Sequence, residues 1–212
     1  DSDGFPLSRN PNDLFFSTKY LIFCREIIKD AQIYIPEFLD NIIEKNIACL
    51  NFIKCPNDQL PLFNGASENF LNHLDEYLDT QATKKSNKDI IGGLCKLKQK
   101  NHLVFFDIGS PPKKKFSKCY QSGPLSFEYF LDGIKIISNC GFGDKISNKA
   151  ELLSRLTACQ STLTLNDTSV TKFERNKLVN KVFGNSIKNN FKIYNIRSNI
   201  EKNIIYCSAE HS

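Results

Sequence analysis

The side chains in this sequence that could do chemistry are scattered, and their spacing removes several chemistries at once. His73, His102 and His211 lie far apart, and none forms the close pair that a metal-binding helix or ribbon uses. Eight cysteines, at 24, 49, 55, 95, 119, 140, 159 and 207, show no CxxC spacing. Buried free thiols are therefore the simpler reading than a zinc cluster, while the even count leaves disulfides open in an oxidising compartment. Arg9 and Asn10 place a cation beside an amide, with two readings: the start and cap of a helix, or donors toward a carboxylate. Tyr120 follows Lys118 by two residues; a phenol acts as a base near neutral pH only where cations lower its pKa, and otherwise Tyr120 is an ordinary strand aromatic. Asn64-Gly65 reads as a turn or as a groove-lining amide. Lys113-Lys114-Lys115 follows two prolines and reads as a solvated loop, with contact to an anionic polymer as the alternative.

The elements that must hold these residues divide by periodicity. Asn10 as N-cap, Pro11 at the first helical position and Asp13 in the first turn predict a helix to about Asp30, with Leu14, Thr18, Leu21, Ile22, Arg25 and Ile28 at helical spacing. Pro36 opens a second helix whose broad apolar stripe, Leu39 to Ile53, closes before Pro56; the two should pack as an antiparallel pair. A third is expected from Glu68 to Asp79, then a linker at 80–88. Stripes this wide on so few helices imply neighbours not included in the sequence.

Beyond the linker the period becomes two, predicting strands at 93–98, 103–107, 157–165, 178–183, 191–196 and 204–208. Asp132-Gly133 adds a tight hairpin, with Leu125, Phe127 and Tyr129 on one face and Ile134, Ile136 and Ser138 returning. A helical turn within 149–155 would let Leu152, Leu153 and Leu156 cover an open sheet edge. The fold class is α+β: helices over 1–85, then an antiparallel β-sandwich over 86–212 that reads as cut at its C-terminal end.

Six short motifs in one order add a resemblance. GFPLSRNP at 4–11, LPLFNG at 60–65, FDIGSPP at 106–112, CYQSGPLSFE at 119–128 and the SNCG and CQST stations at 138–141 and 159–162 resemble the heparinase II/III-like family. That resemblance implies the end of an incomplete α/α toroid joined to a β domain, with an acidic polysaccharide bound between them. It also implies β-elimination on uronic-acid glycans, which needs a base, an acid for the leaving oxygen and a donor against the carboxylate. Matched residue by residue, the family's histidines fall at Cys119, Gln121 and Gln160, and its aspartate at Asn139. Gln121, Asn139 and Gln160 thus occupy its metal-ligand positions, and because amides are poor zinc ligands no zinc or other cofactor is expected there. The three amides could instead satisfy one another.

The resemblance leaves Tyr120 as the one tyrosine beside a catalytic station, and Arg9, Asn10, Asn64 and Gln121 as candidate substrate contacts. With its histidines replaced, a non-catalytic glycan-binding or envelope-associated protein is the alternative to a lyase. A location in the cell envelope or periplasm is implied by the family, with the cytoplasm as the alternative. A net charge of +5 and 41% hydrophobic residues over 212 fit a globular chain, and no nucleic-acid motif is present. No apolar run approaches the ~20 residues of a membrane span.

Overall fold

The computed structural model describes residues 1–68, 88–189, 191–201 and 204–212. The helix expected from Glu68 to Asp79 and the linker at 80–88 fall outside these residues except at their ends.

Helix α1 spans Pro11–Asp30. Its start follows from local chemistry: the Asn10 side chain accepts from the Asn12 N–H at 2.9 Å, and Pro11 brings no N–H that would need a partner. Helix α2 spans Glu37–Ile53 after Pro36. Arg25, late in α1, reaches Asp40 in the first turn of α2 at 3.6 Å, the pairing of an antiparallel helix hairpin. One face of each helix is buried, with Leu14, Thr18 and Ile22 from α1 and Ile43, Ile47 and Leu50 from α2. On the other side of α1, Phe16, Tyr20, Phe23 and Ile27 repeat at three and four and stay exposed.

The strands form two antiparallel sheets, and the chain is α+β. Five strands, β1 (Ile90–Ile91), β2 (Leu94–Gln99), β3 (His102–Asp107), β4 (Phe127–Leu131) and β5 (Ile134–Ile137), lie side by side in chain order. The Asp132-Gly133 turn joins β4 to β5 as expected, with φ of +50° and +81°. Strands β6 (Ile193–Glu201) and β7 (Ile204–His211) form a separate ribbon, and β7 approaches β2. One apolar cluster unites helices and sheet: Phe5, Leu14, Ile43 and Leu50 meet Leu94, Leu103, Phe105 and Phe130. Phe105 and Phe130 stand edge to face at 6.3 Å, and burying each ring is worth about 2–3 kcal/mol. A smaller cluster gathers Tyr120, Ile187 and Phe191.

Three sequence expectations are corrected. Residues 157–165 are no strand: Thr157–Cys159 is one 3-10 turn, and the apolar half of the alternation, Leu163 and Leu165, is exposed. Residues 178–183 belong to a helix, labelled α4 (Lys177–Phe183), because Asn176 caps the N–H groups of Leu178 and Val179 and Gly184 ends it at φ +68°. The turn expected within 149–155 is present as α3 (Asn148–Ser154), but Leu152, Leu153 and Leu156 face solvent and cover no sheet edge.

Candidate functional site

At the Asp107 end of the sheet, Arg9 joins the helical and sheet parts. Its backbone takes φ +59°, in the left-handed region, and turns the side chain inward just before Asn10 caps α1. The guanidinium spends its whole fork on the protein: Nε donates to Gly92 O at 3.0 Å, Nη1 to Gly109 O and Ser110 O at 2.9 and 3.2 Å, and Nη2 to Gly93 O at 3.3 Å and to Asp107 Oδ1. Glycine is needed to admit it, since a Cβ at Gly93 would stand 2.7 Å from Nη2 and one at Gly109 would overlap the same group. Asp107 closes the cluster, accepting also from Gly109 N at 3.1 Å and from Asn64 Nδ2 at 3.3 Å.

Three candidate contacts have these places in the structure. Arg9 is a buried clamp with no donor left for a substrate carboxylate, Asn10 is a buried helix cap, and Asn64 is a buried turn residue bound to Asp107. Tyr120 lies within the electrostatic reach of the same cluster. It is 2% exposed; burial drives its pKa upward, the Asp107 charge adds to this, and Arg9 opposes it only in part, while Lys118 is exposed to solvent.

Next to Tyr120 lies a buried cation that the sequence reading missed. Arg155 is 1% exposed, donates from Nε to Tyr120 O at 2.9 Å and from Nη2 to Ser117 O at 3.2 Å, and lies 4.0 Å from the Phe173 ring centroid. Desolvation pulls its pKa down to about 10. The sole sequence signal was a charge inside the apolar run from Leu152 to Leu156. Glu128, equally unforeseen, sits fully buried on the inward face of β4 and pairs with Lys135 of β5 at 3.1 Å. Glu128 and Phe130 thus hold the buried face of that hairpin, while Ile134 and Ile136 are exposed.

The amides converge, but on a shared acceptor rather than on each other. Gln121 Nε2 donates to Ser154 O at 2.9 Å and Gly141 O at 2.8 Å; Gln160 Nε2 donates to the same Ser154 O at 2.8 Å. Both point at Cys140 Sγ, at 3.9 and 3.6 Å. Asn139 stands apart, its Oδ1 accepting from Ser161 N at 2.9 Å and its Nδ2 buried without a partner. The residues do not fit a zinc site: Gln121 Oε1 is taken by Gly65 N at 3.0 Å, Asn139 Oδ1 by Ser161, and among the described residues no group of His, Cys, Asp and Glu could hold a metal ion. Gln121, 2% exposed, is a brace between 65, 141 and 154.

The opposite end of the β2–β3 hairpin carries a different surface. A cleft of about 470 Å³ is lined by Lys54, Lys96, Lys98, Lys100 and His102, with Asp58 and Asp132 as its acids. Lys96 donates to Phe52 O at 2.6 Å and lies over the Phe52 and Phe105 rings; desolvation lowers its pKa, and the Lys98 charge adds to this. Lys98 and Lys100 are exposed.

Against known proteins, the sequence model described as Heparinase II/III-like, C-terminal, matches residues 90–211. The chain belongs to the heparinase II/III-like family. Among solved structures this family member resembles a heparan sulfate lyase, HepC from Pedobacter heparinus, with TM-score 0.63 and 19% identity over 94% of this chain and 35% of that one. It resembles a heparinase III gene product with methylated lysines at TM-score 0.65 and 16% identity, over 99% of this chain and 36% of that one. A further heparinase III gives 0.61 and 12%, over 82% and 34%. The chain thus spans about a third of the length of these structures, and at such identities the likeness establishes the fold. No curated protein sequence matches it.

Proposed function

We propose that the protein containing this chain binds a uronate-bearing acidic polysaccharide without cleaving it. The observation that carries this reading is the full engagement of the Arg9 fork, with Asn10, Asn64, Tyr120 and Gln121 all buried beside it, so none of these can take a proton from a sugar or neutralise its carboxylate. The lysine cleft supports the acidic partner, because the exposed ammonium groups of Lys98 and Lys100 beside it attract polyanions. The exposed stripe of Phe16, Tyr20, Phe23 and Ile27 fits further toroid helices packing on α1, with the division into helical and sheet domains near residue 85. A location in the cell envelope goes with a polymer partner. Among the described residues no helix is long and apolar enough to cross a membrane.

The second reading, a β-eliminating lyase, rests on relatives named as lyases. One assay separates the two. The intact protein is incubated with heparin, chondroitin, hyaluronan and alginate while ultraviolet absorbance of unsaturated uronate is followed, and is then applied to an acidic-glycan column. Retention that yields to salt with flat absorbance is expected; a growing absorbance band overturns the binding-only reading.

A further inference from the structure

Where Gln121 and Gln160 converge, two thiols also meet. The Cys140 N–H donates to Cys159 O at 3.3 Å, which sets the two residues side by side across neighbouring segments. Backbones joined in this way lie at the separation a disulfide spans, where Cα atoms are about 4.4–6.8 Å apart. Cys140 is exposed and Cys159 half-buried, so a small oxidant reaches the pair from solvent. The surroundings hold it in place without consuming it: the Cys140 thiol donates to Gly141 O at 3.1 Å, and both glutamine amides touch its sulfur.

We propose that Cys140 and Cys159 are a redox modification site, joined as a disulfide by an oxidised thiol–disulfide partner such as glutathione disulfide. One cysteine thiolate attacks a sulfur of glutathione disulfide and expels one glutathione thiolate. The other cysteine, deprotonated, attacks the resulting mixed disulfide and expels the second. The protein loses two hydrogens and two electrons, and glutathione disulfide is reduced to two glutathione molecules. Cys140 must be the nucleophile in one of the two steps. Exchange runs through the thiolate, so closure quickens toward alkaline pH. The bond would tie the SNCG segment to the 3-10 turn at Thr157–Cys159, the two pieces that frame Ser154 O and its amides.

The test is to incubate the folded protein with glutathione disulfide at pH 7, 8 and 9, block remaining thiols, digest with trypsin and search by mass spectrometry. Cleavage after Lys135, Lys145, Arg155 and Lys172 puts Cys140 on the peptide 136–145 and Cys159 on 156–172. The expected result is these two peptides cross-linked, at a rate that climbs several-fold per pH unit, with dithiothreitol restoring both thiols. Closing this short loop should raise the melting midpoint by on the order of 5 °C. Cys140→Ser and Cys159→Ala should each abolish the cross-link and its thermal gain while melting near the reduced parent. Glutathione retained on either cysteine without closure, or oxidation found only elsewhere, such as between Cys95 and Cys207, overturns the proposal.

Discussion

Replacing Asp107 by alanine tests whether the Arg9 cluster is the clamp its geometry describes. The substitution removes three acceptor contacts, from Arg9, Gly109 and Asn64, and strands a guanidinium that is 10% exposed. Breaking one half of a buried ion pair costs about 3–5 kcal/mol, because the remaining charge keeps its desolvation penalty. The four carbonyls around Arg9 still hold it, which argues for the lower end, about 3 kcal/mol. For a chain of this size each kcal/mol moves the midpoint by about 2–4 °C, so a fall on the order of 10 °C is expected. Asp107→Asn keeps the shape and an acceptor oxygen and should cost roughly half as much. Urea and thermal unfolding followed by circular dichroism give both values. A loss below about 1 kcal/mol for Asp107→Ala would mean that water already screens the pair, and the reasoning would be refuted.

Alkaline stability should fall between pH 9 and 10. Burial pushes Cys49 and Cys95 up to about 12 and Cys55 higher still, so above pH 9 the unfolded thiols lose protons that the folded ones keep, at about 1 kcal/mol per thiol by pH 10. Arg155, drawn down to about 10, acts in the opposite sense only above that value, and Cys49→Ala should flatten the slope in urea titrations run across this range. Lys135→Met should cost about 3 kcal/mol by leaving the Glu128 carboxylate buried alone, and Glu128→Gln in the same chain should recover much of that loss in a double-mutant cycle of unfolding energies. Zinc at tenfold excess should leave the melting midpoint unchanged, since Gln121 and Asn139 already spend their oxygens on backbone N–H groups; a rise of several degrees at one equivalent would contradict this.

What was legible in the sequence is what local chemistry decides. The Asn10-Pro11 start of α1 and the Asp132-Gly133 turn depend on neighbours in the chain, and both fall where expected. The segment at 178–183 was misread although Asn176 and Gly184 bracket it as caps, because Leu178 and Val182 at a spacing of four carry little weight in so short a run. The residues 157–165 alternate like a strand, yet among the described residues only Leu165 finds a bridge, to Thr168. In the candidate site the Asn10 cap and the Asn64-Gly65 turn were legible as local chemistry, but the long-range partners were not. Arg9 meets its partners across 83 to 101 residues and Arg155 meets Tyr120 across 35, and no periodicity encodes such encounters.

The Glu128–Lys135 contact spans a hairpin that pairs Phe130 with Lys135 and Leu131 with Ile134, with an irregularity between Tyr129 and Phe130. If the two strands zipped one position out of step, Lys135 would swing to the wet face while Glu128 stayed in the apolar interior without a counter-ion. Such an error forfeits several kcal/mol before the next residue can pair. The Glu128–Lys135 pair thus penalises misaligned ribbons that the isoleucines alone would tolerate.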